Sequence, residues 1–216
     1  IERIYLSNNN LSGAIPLALC DISGLTHLHY FGNNLCSPYP PLDCADEVVL
    51  QELCRQITQQ WEHLDGVIAN IGDGRSVPDA IPGAEQWSKV WRTNFETALN
   101  TARVFFPLLQ KSRGNLLFIS SIAGLEAFGA PVDYSTAKTA VIAFAQNLAR
   151  KVAPEVRGNV IAPGNVYFPG SSWEEKIEID SAKVEKMLQT TVPMKRFGSP
   201  EEIAALVVYL ASDEST

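Results

Sequence analysis

Tyr134 and Lys138 stand four residues apart, a spacing that brings both to one face of a helix. A phenol titrates at about pKa 10 and is a poor acid or base at neutral pH, but an adjacent ammonium favours the phenolate and moves the group toward the working range. Three apolar runs, Gly66-Val-Ile-Ala69, Leu116-Leu-Phe-Ile119 and Asn159-Val-Ile-Ala162, each end in small or polar residues: Asn70-Ile-Gly72, Ser120-Ser121 and Pro163-Gly164. In an open parallel sheet, ligands bind beyond the carboxyl ends of the strands, so these three tips should line one crevice. The Tyr134–Lys138 pair, on a helix starting near Val132, is then the candidate proton-handling group at that crevice.

The elements that must position these groups follow from periodicity. Helical patterns are predicted at about residues 46–61, 85–109, 132–153, 173–190 and 200–212, and strands at about 65–70, 115–120 and 157–162. Their alternation predicts an α/β fold of βαβ units, a doubly wound parallel (Rossmann-type) sheet with flanking helices. Trp87 and Trp91, four residues apart, are expected to form a core or interface stripe rather than a substrate platform.

The first part of the chain has a different texture. Ile1, Ile4, Leu6, Asn9 and Leu11 return as Leu25, Leu28, Tyr30, Asn33 and Leu35, a period of 24 residues. This LxxLxLxxNxL pattern, with Gly13-Ala14-Ile15-Pro16 completing the first copy, resembles the plant-type leucine-rich repeat. Fewer than two copies are present, short of the three or so that a solenoid needs. The proline-dense stretch from Cys36 to Asp43 reads as an extended connector. Two parts are therefore expected: a short leucine-rich-repeat segment with its connector at 1–42, and a catalytic portion at 43–216.

Composition narrows the function classes. The 216 residues carry 17 basic and 24 acidic side chains, a formal charge of −7, and 46% of them are hydrophobic. That balance argues against a phosphate-binding surface for nucleic acid and against an anionic membrane as partner. No apolar run is long enough to span a bilayer and no basic-then-apolar leader is visible, so a cytoplasmic location is expected. The chain starts at Ile1 rather than Met, which reads as a processed product or a fragment. Cys20, Cys36, Cys44 and Cys54 match no zinc-site spacing, and no metal site is expected.

From about Asp43 onward the residues resemble the short-chain dehydrogenase/reductase family. Asn94, Ser121, Tyr134 and Lys138 lie at intervals of 27, 13 and 4 residues, as in that family's Asn-Ser-Tyr-Lys tetrad. Ile119-Ser-Ser-Ile-Ala-Gly124 is close to ISSxAG, Ala69-Asn70-Ile71-Gly72 stands for NNAG, and Arg157-Gly-Asn-Val-Ile-Ala-Pro163-Gly164 stands for RVNxIAPG. Arg196-Phe-Gly-Ser-Pro-Glu-Glu202 matches R-x-G-x-P-E-E, and Asp43-Cys-Ala-Asp46 falls where an adenine-contacting Asp-x-x-Asp segment is expected.

The resemblance implies an NAD- or NADP-dependent oxidoreductase that moves hydride between nicotinamide and a carbonyl or secondary alcohol of a small molecule. Tyr134 would be the acid/base, Lys138 would lower its pKa and hold the nicotinamide ribose, Ser121 would hydrogen-bond the reacting oxygen, and Asn94 would anchor a water leading from Lys138. Asp43, Asn70, Gly72, Pro163, Gly164 and Val166 would join Tyr134 and Lys138 in holding the cofactor, Val166 through its main chain. It also implies a homo-oligomer through helices 85–109 and 132–153.

The departures are as informative. No TGxxxGxG turn occurs, since Gly13, Gly24 and Gly32 are too widely spaced to form one. The expected sheet is thus truncated, the choice between NAD and NADP stays open, and the run 66–69 becomes an exposed edge. A repeat strand near residues 4–6 or 28–30 is one expected cover for that edge. Ile71 replaces the usual Ala of NNAG, and Trp173 after Phe168 suggests an apolar wall to the substrate loop. A different class of function stays open at this stage: a noncatalytic fused fragment acting as a leucine-rich-repeat, protein-interaction module.

Overall fold

The computed structural model describes residues 43–61 and 63–215 in full and, ahead of them, the backbone of four short strands. These are β1 (Arg3–Tyr5), β2 (Ser12–Gly13), β3 (His27–His29) and β4 (Asn34–Leu35). β1 pairs in parallel with β3, Arg3 opposite His27 and Tyr5 opposite His29, so partners lie 24 residues apart. β2 pairs in parallel with β4. The remaining residues of 1–42, Cys20 and Cys36 among them, lie outside the described part.

Asp46 caps α1 (Glu47–Gln60) by accepting the Val48 N–H at 2.9 Å. The helix buries Leu50 and Leu53 one turn apart and packs on α3 (Thr97–Ser112). Between them come β5 (Gly66–Ala69) and α2 (Ala84–Trp91), and after them β6 (Asn115–Ile119), α4 (Val132–Val152) and β7 (Arg157–Ile161). The sheet is parallel in the order β5-β6-β7, with Val67 opposite Leu116 and Phe118 opposite Val160. β6 is central, and Leu116, Leu117 and Phe118 on it are at most 1% exposed. Such an unbroken apolar run is what a strand covered on both faces requires.

Among the described residues β5 pairs with β6 alone. The expected cover by a repeat strand is corrected here. β1 pairs with β3 and β2 with β4 in two-stranded sheets of their own, separate from the sheet that holds β5.

The helix expected over 85–109 is present with one wide turn in it: α2 runs into α3 through Arg92–Glu96, where Thr97 N–H bonds back to the Arg92 carbonyl. One extra residue in the turn re-aims its side chains, a device frequent at functional sites. On its apolar side Trp91 meets Phe95 in a tilted contact at 4.7 Å between ring centroids, and Phe95 meets Phe144 of α4 edge-on at 6.0 Å. Trp91 is therefore part of the packing, as a core stripe would be.

Residues 1–162 form one compact unit and 163–216 a second. The second holds α5 (Ser172–Thr191) and α6 (Pro200–Ala211). α5 is interrupted at Asp180, whose backbone is extended (φ −157°, ψ 83°) and whose carboxyl accepts the Lys183 N–H at 2.9 Å. α6 begins with a reciprocal cap: Ser199 accepts from the Glu202 N–H while Glu202 accepts from the Ser199 N–H.

Candidate active site

Asn70 and Gly72 follow the carboxyl end of β5, Ser120 and Ser121 follow that of β6, and α4 brings Tyr134 and Lys138 across both tips. Lys138 is 3% exposed, and its ammonium donates to the Ile119 carbonyl at 3.2 Å. Its Nζ also lies 6.0 Å from the centroid of the Tyr134 ring. Burial lowers its pKa to about 8.

Asn94 sits in the wide turn, 1% exposed, with both ends of its amide bonded. Oδ1 accepts the Asp73 N–H at 3.0 Å, while Nδ2 donates to the carbonyls of Asp73 and Val90, each at 3.0 Å. The side chain thus reads both main-chain groups of Asp73 as a neighbouring strand would. Gly72 closes the cluster. A Cβ there would stand 2.6 Å from Lys138 Nζ and 2.8 Å from Asn94 Oδ1, so any larger residue must displace these side chains.

The loop after β6 is fastened to α4 by two hydroxyls. Buried Ser120 donates to the Lys138 carbonyl at 2.7 Å, and Thr139 donates to the Gly124 carbonyl at 2.9 Å. Ser121 caps the short turn Ile122–Gly124, its Oγ accepting the Ala123 N–H at 3.2 Å, and its hydroxyl is also a hydrogen-bond partner of the Tyr134 phenol. At Gly124 a Cβ would meet backbone atoms of Lys138 and Thr139 at 2.7–2.9 Å. Backbone in a helix cannot step aside, so Gly124→Ala is expected to cost about 1–3 kcal/mol. That loss should appear as a lower urea midpoint at unchanged m-value; a midpoint equal to the wild type would show that the loop yields freely.

Tyr134 is half-buried, and its pKa is raised, not lowered. Burial is the main cause, the Asp73 carboxyl adds to it, and the Ser121 hydrogen bond opposes it. The expected lowering by Lys138 is therefore corrected for this geometry. The ammonium points to the Ile119 carbonyl, and desolvation pushes the phenol and the amine alike toward their neutral forms.

Residues the sequence reading passed over also stand here: Asp73, Gly74, Ser76 and Asp133. Asp133, adjacent to Tyr134, looked like an ordinary acidic residue in a first helical turn, yet it is 1% exposed. That burial was not legible from composition.

The other sequence-predicted cofactor residues are placed separately. Asp43, exposed, accepts the Ala45 N–H at 2.9 Å and pairs with Arg92 at 2.9 Å. Pro163, Gly164 and Val166 belong to the second unit. There Gly198 N–H bonds to the Asn165 carbonyl at 2.8 Å and Tyr167 N–H to the Gly198 carbonyl at 3.1 Å. This bridge skips the N–H and C=O of Val166, which face the opposite way. Also in this unit Phe197 meets Trp173 at 5.3 Å and Tyr167 at 5.9 Å between ring centroids. Cys44 and Cys54 are free thiols, and among the described residues no group of His, Cys, Asp and Glu could hold a metal ion. Nor is any helix among them long and apolar enough to cross a membrane.

The nicotinamide-ribose end of a dinucleotide fits the donors present. Among the described residues Ile119 is the one hydrogen-bond partner of the Lys138 ammonium, which leaves N–H donors for ligand hydroxyls.

Residues 17–216 match a family model described as enoyl-(acyl carrier protein) reductase. The chain is 32% identical over 177 residues to the 3-oxoacyl-[acyl-carrier-protein] reductase of Chlamydia trachomatis, covering 81% of this chain and 69% of that protein. Curated relatives are spanned over 54% to 70% of their own lengths. NAD+-bound xylitol dehydrogenase superposes with a TM-score of 0.74 at 22% identity, covering 86% of this chain and 74% of the other. ElxO with NADP bound superposes at 0.73 and 24% identity, over 84% and 72%. With the tetrad spacing gathered at the strand tips and a family match over most of its length, the chain belongs to the short-chain dehydrogenase/reductase family of NAD(P)-dependent oxidoreductases.

Proposed function

We propose that this protein interconverts a small carbonyl compound and the corresponding secondary alcohol, with Tyr134 as acid/base. The observation that carries the reading is the convergence of Gly72, Asn94, Ser121, Tyr134 and Lys138 at the carboxyl ends of β5 and β6. Bound NAD or NADP supplies or accepts the hydride. In reduction the Tyr134 hydroxyl gives its proton to the substrate oxygen as that oxygen gains negative charge, and the Ser121 hydroxyl donates a second hydrogen bond to it. In oxidation Tyr134 takes the proton back. Lys138, charged below about pH 8, stabilises the phenolate left by proton transfer and donates to ribose hydroxyls.

Asn94 holds the loop after β5 and thereby keeps Gly72 against Lys138. Its amide is held by Asp73 and Val90, and Asn94 anchors the water leading from Lys138. Asn70 and Gly72 bring main chain to the cofactor, and Asp43 faces the adenine. Pro163, Gly164 and Val166 are the second unit's cofactor-binding residues in this reading; the outward main-chain groups of Val166 support that role.

The reading extends to organisation. Residues 1–42 are a leucine-rich-repeat fragment with its connector, joined to a catalytic portion at 43–216. The 24-residue offset between β1 and β3, equal to the sequence period, supports the repeat. Helices 85–109 and 132–153 form the contact of a homo-oligomer.

Fluorescence titration with NADH and NADPH tests the central claim. Saturable quenching that is lost in Lys138→Ala, from a protein that melts cooperatively, is the expected result. A folded protein that binds neither nucleotide would overturn it.

A further inference from the structure

The buried Asp133 carboxyl is used by none of the steps above, although it adjoins Tyr134 and is 1% exposed. A buried carboxyl is costly unless its oxygens are bonded, and here both are. Oδ1 accepts the Tyr134 N–H at 2.8 Å, and Oδ2 accepts the Ser76 hydroxyl at 2.6 Å. Gln86 of α2 donates to the same Ser76 oxygen at 3.2 Å, holding the hydroxyl from the other side. A first-turn acid serving only the helix dipole has no need of burial or of a partner 57 residues away.

The position of Ser76 gives the contact its meaning. The loop after β5 crosses Tyr134, and Asn94 pins it at Asp73 through both main-chain groups. Asp133 pins it at Ser76. Between the two pins lies Gly74, where a Cβ would sit 3.7 Å from Tyr134 Cζ, the carbon that bears the reacting hydroxyl. A loop fastened at one end only would pivot about Asp73 and carry residue 74 toward or away from the phenol.

We propose that Asp133 is a positioning residue: acting through Ser76, it holds the 73–76 segment at a fixed distance from the Tyr134 hydroxyl and so sets the space into which the substrate oxygen fits. This rests on the reading of Tyr134 as acid/base. Removing the carboxyl risks the fold, so Ser76, half-buried on the loop, is the residue to change.

Wild type, Ser76→Ala and Ser76→Thr are labelled with 3-fluorotyrosine, and the residue 134 signal is assigned by its loss in Tyr134→Phe. Ser76→Ala should shift or broaden that signal and lower kcat/KM for a carbonyl substrate about tenfold. The Kd for NAD(P)H should stay within about twofold, because the cofactor contacts are untouched. Ser76→Thr, which keeps the hydroxyl, should restore the wild-type signal and most of the turnover. A wild-type spectrum and wild-type kinetics in Ser76→Ala would overturn the proposal, as would damage in Ser76→Thr equal to that in Ser76→Ala. If the wild type binds cofactor but turns over no carbonyl or alcohol, the functional reading fails, and the fluorine spectra still decide whether the clamp exists.

Discussion

Lys138→Met is expected to make the unliganded protein more stable at pH 7 while abolishing cofactor binding and turnover. The ammonium is 3% exposed with a pKa lowered from 10.5 to about 8 by burial. Between those two values the unfolded chain holds more protons than the folded one, so stability rises with pH across that window. Below about pH 8 the folded protein carries the full cost of a buried charge, on the order of 3 kcal/mol. Met keeps the stem and removes the charge. The Ile119 carbonyl then loses its donor, which returns about 1 kcal/mol. The net gain should raise Tm by on the order of 5 °C, and the wild type's rise in stability between pH 8 and 10 should flatten in the variant. Calorimetry at pH 7 and pH 9.5 measures both. A variant less stable than the wild type at pH 7 would mean that the ammonium contributes more through its contacts than burial takes away. The cost is retained because the charge is needed where the ligand binds, the usual tension between stability and activity.

Tyr134→Phe is expected to lower kcat by about a thousandfold with little change in NADPH affinity or Tm, since a positioned acid/base contributes 10²–10⁴-fold. The phenol is raised by burial and by Asp73. It therefore keeps its proton to higher pH than a free tyrosine, which suits it as a donor. Carbonyl reduction by the wild type should run level through neutral pH and fall above about pH 8 as Lys138 loses its charge, whereas alcohol oxidation should gain from phenolate formation as pH rises. Ser121 opposes the upward shift, so Ser121→Ala should move the oxidation limb further to alkaline pH as well as slowing turnover. Steady-state rates in both directions across pH 6 to 11 test this; equal turnover by Tyr134→Phe and wild type would remove Tyr134 from the chemistry.

Part of this site was readable from residue types alone. The interval of four between Tyr134 and Lys138 is a statement about helix geometry, and the three apolar runs with small or polar tips are a statement about parallel sheets. Both depend on local covalent regularity, so they survive without knowledge of the neighbours. The wide turn at Arg92–Glu96 was not readable, because 92–96 carries an ordinary helical pattern and nothing in it signals an extra residue. Its cause is tertiary: Asn94 must reach the Asp73 main chain on one side while Phe95 meets Phe144 on the other.

The same division explains the protonation states. An ammonium one turn from a phenol looks in sequence like a pair that shares charge, and the lowered phenol pKa followed from that assumption. The fold sends the amine to the Ile119 carbonyl and takes both groups out of water, and desolvation outweighs the attraction between them.

By itself the sequence determined the class of sheet, the order of its strands along the chain, the candidate acid/base and the residues at the strand tips, because periodicity and spacing act over a few residues. The tertiary structure alone decided that Asp133 is buried, that Gly72 lies against Lys138 and Asn94, and that the loop after β5 is held at two points beside Tyr134. Burial and close approach depend on residues distant in sequence arriving at the same place, and no local pattern records that.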